Sequence, residues 1–267
     1  MNLVASNDHG KKLDGNSLRK LLRNVDNLLP ASPSFRVLAG QRIVGKFYGA
    51  TISTAFQTLR DPASGKIVAH EALARSNSAT GTGLSPWGLF ADASSDEHLI
   101  ALDRLCRTIH ALNFRACGLS EAGGKLVLNV HERLLHAVAR GHGTFFRQIL
   151  ELIDLPPEKI IIDISPLQSS DVHWLRRVVK SYQRVGFGVA IEVSSALQAK
   201  LYATLLRPEW IRLAPELIDA ETVSALHSLE VKAVASCVER AATHAHCLSA
   251  GVDIVQGFYY DRPSDVF

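Results

Sequence analysis

From about residue 50 onward, short apolar runs alternate with longer stretches whose apolar positions recur every three or four residues. Eight short runs stand out: ISTAFQTL, KIVAHEAL, KLVLNV, KIIIDI, GVAIEV, EWIRLA, VKAVAS and VDIVQGF. Their length and flanks predict strands. Between them, EHLIALDRLCRTIHAL, HWLRRVVKSYQRV, SSALQAKLYATLL, ELIDAETVSALHSL and ERAATHAHCLSA carry the helical period. The first two strands instead meet through DPASGK, a Pro-, Ser- and Gly-containing turn that fits a hairpin rather than a helical crossover. Strand then helix, repeated, calls for a mainly parallel sheet with helices outside, and eight repeats suffice to close a barrel. The expected fold is α/β, a (β/α)8 TIM-like barrel with an antiparallel first strand. A flat doubly wound sheet has little support, because no G-x-G-x-x-G turn follows any strand.

The first forty-odd residues read differently. Leu18, Leu21, Leu22, Val25, Leu28 and Leu29 share one helical face, Arg19, Lys20 and Arg23 lie elsewhere around the helix, and Pro30 and Pro33 follow. This predicts a short amphipathic helix and linker over residues 1–45, ahead of a barrel domain over residues 46–267. The expected role of the helix is to dock on the barrel, with partner or membrane-surface contact as the alternative.

At 267 residues the chain can bury a sizeable core, and one large domain accommodates that length. A net charge of +3, with 21% charged and 47% hydrophobic residues, is too mild to argue for a nucleic-acid partner. No apolar run reaches the ~18 residues of a membrane span, and MNLVASNDHGKK has no apolar core behind its charges. A cytoplasmic protein without a membrane span is expected. Cys106, Cys117, Cys237 and Cys247 show no C-x-x-C spacing and read as small, mostly buried residues. His244 and His246, with Cys247 beside them, sit two apart on a helical run, where side chains diverge, so a metal cluster is not expected there.

Polar residues at the strand ends carry the chemistry. Strand two ends in Glu71 with Arg75 beyond it, strand three in Asn129, strand four in Asp163 and strand five in Glu192; strand six carries Arg212 and strand eight Gln256. Any one alone reads as a helix cap or a surface ion pair. Together they would ring one mouth, where barrels of this type build their sites. Carboxylates and an amide oxygen suit a hard cation, Mg²⁺ or Mn²⁺, which clamps phosphate oxygens and activates water against a phosphodiester. Arg75 would offer a fork of donors to a phosphate.

In these strands and in this order, Phe56-Gln57, Glu71-Ala72-Leu73-Ala74-Arg75, Leu128-Asn129-Val130, Gly251-Val252-Asp253, Gln256-Gly257-Phe258 and Pro263 resemble the EAL domain family of bacterial cyclic di-GMP signalling. The resemblance covers roughly residues 50 to 263 and implies a barrel of EAL type that hydrolyses this dinucleotide. It implies metal ligation by Glu71, Asn129 and Asp163, with Glu192 still able to reach a metal. It implies ligand contacts from Gln57, Glu71, Leu73, Arg75 and Gln256. Homodimerisation through barrel-edge helices is a further implication.

Several positions depart from the family pattern. Asp163 stands where glutamate is usual and reaches one methylene less far. Val193 replaces the second of two aspartates after strand five, and Ser236 replaces a carboxylate implicated in activating water. Arg212 replaces a lysine, and Pro166 replaces a glutamate that steadies a mobile loop. A general base contributes about 10²–10⁴-fold in rate, and catalytic groups act as a unit, so these losses leave little above background. The expected function is a catalytically degenerate EAL domain with no required cofactor, binding cyclic di-GMP and passing the signal to a protein partner such as a transcription, motility or adhesion regulator. One alternative is a protein-interaction module that binds neither nucleotide nor metal. The other is a weak phosphodiesterase using Mg²⁺ or Mn²⁺.

Overall fold

The computed structural model describes residues 15–28, 35–38, 41–77, 83–84, 95–121, 124–130, 132–137, 141, 143–165 and 171–265. The eight expected strands are β3 (Ala50–Arg60), β4 (Ile67–Asn77), β6 (Lys125–Val130), β7 (Ile160–Ile164), β8 (Gly188–Glu192), β9 (Trp210–Leu213), β10 (Lys232–Ala235) and β11 (Ile254–Val255). They close into a barrel in the order β3-β4-β6-β7-β8-β9-β10-β11, with β11 returning to β3. β3 runs antiparallel to both neighbours, and the other contacts around the ring are parallel. The DPASGK turn is the reason: Asp61 Oδ1 accepts from the amides of Ala63 and Ser64 and folds the chain straight back into β4.

Helices cover the barrel: α2 (Asp96–Ala116), α3 (Glu132–Ala137), α4 (Thr144–Leu152), α5 (Val172–Arg184), α6 (Ala196–Leu206), α7 (Ala220–His227) and α8 (Ala241–Ser249). Four begin with a side-chain cap predictable from sequence, Ser95, Asp171, Ser195 and Asp219, each accepting from an amide of the first turn. The ELIDAETVSALHSL run is less uniform than its period suggested. Pro215–Leu217 forms a separate 3₁₀ turn before α7 starts behind its Asp219 cap. α3 and α4 were not legible as separate helices.

Alternation along the strands sorts the core into two layers. Leu126, Leu128, Ile160, Ile162, Ile164, Val189 and Ile191 face outward and pack under the helices. Leu59, Ala69, Val127, Ile161, Ala190, Trp210, Val234 and Ile254, one from each barrel strand, fill the interior.

Ahead of the barrel, α1 (Gly15–Asp26) lays Leu18, Leu22 and Val25 into the same core as the outer layer and packs against α4. The helix ends before Leu28, which is exposed in the following turn, so the apolar face is shorter than its periodicity implied; Leu29, Pro30 and Pro33 lie outside the described residues. The stretch read as linker also carries β1 (Phe35–Val37) and β2 (Ile43–Phe47), antiparallel additions to the N-terminal half of β3. A short strand, β5 (Gly83–Leu84), pairs with the end of β4.

Buried amides and hydroxyls fasten β2 and β3 to α2. Asn113 accepts from Ile43 N and donates to Ile43 O, both at 2.8 Å, and also donates to Thr54 Oγ1 at 3.2 Å. Thr54 Oγ1 in turn lies 2.7 Å from His110 Nδ1. At Gly45 of β2, a Cβ would stand 2.8 Å from Ile109 Cδ1, so glycine lets α2 approach without displacing that side chain.

Burial, reinforced by the charge of Arg75, pushes the His110 imidazole down from 6.5 to about 3, and burial moves His70 in the same direction. In the unfolded chain these rings protonate near pH 6.5, whereas in the folded chain they resist. The contribution of His110 is therefore complete above about pH 6.5 and declines as pH falls toward 3, by about 1.4 kcal/mol per unit once the unfolded-state ring is protonated, and His70 acts in the same direction. Urea unfolding across a pH series should show this slope, and His110→Gln should flatten it; an unchanged slope would exclude the assignment.

Candidate functional site

Two residues beyond each interior apolar residue, toward the carboxyl ends of the parallel strands, stands a polar one. The set is Gln57, Glu71, Asn129, Asp163, Glu192, Arg212, Ser236 and Gln256. The period of two makes this inevitable: a strand whose residue i fills the barrel presents residue i+2 in the next layer up. Gln57, Glu71, Asp163, Arg212 and Gln256 are buried, Ser236 is half-buried, and Asn129 and Glu192 are exposed.

Arg212 is the hub of this ring. Its NH1 donates to Asp163 Oδ2, and its NH2 donates to Gln256 Oε1 at 2.6 Å and to Glu71 Oε2 at 3.3 Å. Its Nε donates to Ser236 Oγ at 3.1 Å. Around Glu71 the donors are complete: Asn129 Nδ2 reaches Oε1 and Gln256 Nε2 reaches Oε2, each at 2.6 Å. Gln256 Nε2 also reaches Gln57 Oε1 at 3.3 Å, while Gln57 Nε2 donates to Asp261 O at 3.0 Å. The chain can place Gln256 here because Gly257 has no side chain; a Cβ there would lie 2.0 Å from Val238 O.

The two carboxylates that share Arg212 are not equivalent. Burial pushes both upward. At Glu71 the guanidinium and the hydrogen bonds from Asn129, Gln256 and Arg212 outweigh burial and hold the carboxyl below its ordinary value. At Asp163 burial prevails over Arg212, aided by the charges of Glu71 and Glu192, and the carboxyl rises to about 6. The geometry explains the asymmetry, because Oδ1 of Asp163 is buried without a partner among the described residues. Burial opposes the charge on Arg212, but Asp163 and Glu71 hold it above its ordinary value.

The remaining expected site residues lie outside this network. Arg75 is four residues past Glu71 on the same face of β4, and its NH1 donates to the neighbouring carbonyl of Ala74, at 3.1 Å. It is half-buried, as is Leu73. Glu192 accepts from Ser165 Oγ at 2.6 Å rather than joining Glu71 and Asp163 around a common point. Val193 turns the other way, into the outer core, with its amide donating to Arg212 O at 3.1 Å. Pro166 lies outside the described residues. Asp261 was not legible in the sequence: its backbone holds Gln57, and its carboxylate accepts from Thr58 and Arg60. Its position after the Gln-Gly-Phe turn is the only sequence signal, and a weak one. His244 pairs with Tyr260 and His246 with Ile218 O, so these two face different partners on α8.

Whether this ring suits a divalent cation turns on what its oxygens already hold. Glu71, Asn129, Asp163 and Glu192 supply the right atom types, but Glu71 is saturated by protein donors and Asp163 shares the same guanidinium. Like unit charges about 4 Å apart repel by roughly 4 kcal/mol at an effective dielectric near 20, and a dication doubles this. Among the described residues, no three His, Cys, Asp or Glu side chains form a group that could hold a metal ion. The residues present do not fit a metal at this ring.

Residues 46–263 match the family model described as the EAL domain, and the chain belongs to that family. Solved structures share the fold. The PaMucR phosphodiesterase in its cyclic di-GMP complex superposes with a TM-score of 0.67 at 19% identity, covering 80% of this chain and 92% of that one. Klebsiella pneumoniae BlrP1, in a manganese and cyclic di-GMP complex, gives 0.67 at 21% identity, covering 93% of this chain and 66% of that one. The EAL enzyme Bd1971 in its cAMP-bound form gives 0.62 at 17% identity, covering 80% and 64%. No curated protein matches by sequence. Among the described residues, no helix is long and apolar enough to cross a membrane.

Removing Arg212 would strand two buried carboxylates. Arg212→Ala should destabilise the fold by roughly 3–5 kcal/mol, and much of that loss should return when Glu71→Gln and Asp163→Asn are added. Chemical denaturation of the single and triple variants measures both; full stability in the single variant would show that the guanidinium is not needed.

Proposed function

We propose that this EAL domain is a non-enzymatic regulator that works by binding, with cyclic di-GMP at the barrel mouth as its ligand and a protein partner, such as a transcription, motility or adhesion regulator, as its output. The observation that carries the reading is Arg212 engaged with both Glu71 and Asp163, the oxygens a catalytic cation would need. Val193 in the outer core and Ser236 as an acceptor for Arg212 support it, since neither supplies a carboxylate. Ligand binding finds support in Arg75, whose guanidinium has no carboxylate partner among the described residues and stands near the rim with a fork suited to phosphate. The cyclic di-GMP complexes of the PaMucR and BlrP1 proteins make this dinucleotide the first ligand to test.

One observation favours a second reading, a module that binds neither nucleotide nor metal. The ring sets three carboxylates, Glu71, Asp163 and Glu192, against the single guanidinium of Arg212. That balance repels a dianionic dinucleotide and opposes whatever attraction Arg75 supplies.

Calorimetric titration with cyclic di-GMP separates the two. Binding to the wild type that disappears in Arg75→Ala is the expected result, and absence of heat at high micromolar ligand would leave only the second reading. Incubation with Mn²⁺ and the dinucleotide should yield no linear pGpG by chromatography; its appearance would overturn the non-enzymatic proposal.

A further inference from the structure

The oxygens facing Arg212 form a ligand set that a hard cation would accept. Glu71 Oε2, Asp163 Oδ2, Gln256 Oε1 and Ser236 Oγ, two carboxylates, an amide and a hydroxyl, converge from four different strands or their ends. What they meet is a side chain of the same protein. We propose that Arg212 is an internal replacement for a divalent metal: a covalently tethered cation that neutralises Glu71 and Asp163, keeps divalent ions out of the barrel mouth, and makes the domain independent of metal. This deepens the non-enzymatic reading above and rests on it.

Three features make the replacement permanent. A guanidinium does not lose its proton in a protein, so no change of pH in the physiological range clears the position for a metal. Its three nitrogens point to separate partners in one plane, and the fork satisfies all four oxygens at once, which a single ammonium nitrogen could not do. The stem cannot withdraw down the barrel, because the interior layer below is filled by Trp210, two residues back on the same strand, and its seven apolar neighbours. The side chain is only 10% exposed, so little of it is open to solvent.

Asp163 Oδ1, the ring's buried oxygen without a partner among the described residues, does not restore a metal site. Its neighbour Oδ2 is bound to the guanidinium and the nearby Glu192 is turned to Ser165. A single oxygen beside a fixed positive charge falls far short of the six to eight ligands that hold Ca²⁺ or the octahedron that holds Mg²⁺.

Mn²⁺ titration of the purified full chain, followed by the paramagnetic resonance signal of free Mn²⁺ and by thermal melting, tests this without nucleotide. Failure to bind cyclic di-GMP therefore leaves the result unaffected. The wild type should leave the free-Mn²⁺ signal at its protein-free level, and neither Mn²⁺ nor EDTA should move its melting temperature. Arg212→Met removes the charge while keeping a long stem; it should capture Mn²⁺, melt higher with the ion than with EDTA, and lose both effects when Glu71→Gln is added. Stoichiometric Mn²⁺ uptake by the wild type, abolished by Glu71→Gln, would overturn the proposal, as would a folded Arg212→Met that ignores Mn²⁺. Should Arg212→Met not fold, the wild-type titration and its Glu71→Gln control decide the matter.

Discussion

A guanidinium buried between two carboxylates sets the terms for the rest of the barrel mouth. Charges taken out of water survive only when each has partners, and Arg212 obtains them from side chains on several strands at once. Gln57, Glu71, Asn129, Asp163, Ser236 and Gln256 complete the set, so the network draws on or just beyond seven of the eight barrel strands. Such a network forms only when the ring is closed. It binds the antiparallel β3 to the last strand, β11, through Gln57 and Gln256, the place where the barrel's two ends meet. An apolar filling would close the same space with less penalty, so the polar layer depends on its own completeness: each member holds its place through the hydrogen bonds of the others.

The pairing is unequal, and that inequality follows from donor count. Glu71 receives hydrogen bonds from three side chains and keeps its charge; Asp163 receives one and has an idle oxygen. One cation shared by two acids leaves the less supported acid as the proton acceptor. The short side chain at position 163 has an electrostatic counterpart: its carboxylate meets the guanidinium with one oxygen and leaves the other unfilled among the described residues.

The eight strands were legible because buried parallel strands are continuous apolar runs, and KIIIDI or GVAIEV admits little else. Six ring members, Glu71, Asn129, Asp163, Glu192, Arg212 and Gln256, were legible as strand-end residues for a related reason, since each follows an interior apolar residue by two positions, whereas Gln57 precedes Leu59 on the antiparallel β3. The N-terminal strands were not: FRV is short and alternates into solvent, and IVGKF contains a glycine whose purpose appears only when α2 lies against it. Nor could a string of residues say which way Arg212 points. A charged residue at a strand end reads equally as a phosphate contact or an internal ion pair, and only the closed barrel, which brings Asp163 and Glu71 to either side of it, selects the second.

The presence of Glu71 and Arg75 in the family's naming motif therefore carries less about hydrolysis than it first suggests. In this chain Glu71 has a reason to be acidic that involves no metal: Arg212 and Asp163 together with Glu71 form a buried set in which each charge depends on the others. A neutral residue at 71 would leave Arg212 with one carboxylate for its charge and would remove the shorter of the two hydrogen bonds made by Gln256 Nε2, so the fold alone gives the motif's glutamate a role. Arg75 has no such internal tie, being hydrogen-bonded to its neighbouring carbonyl and unpaired with any described carboxylate. Of the two motif residues, the glutamate is tied into the ring, whereas the arginine stands outside it.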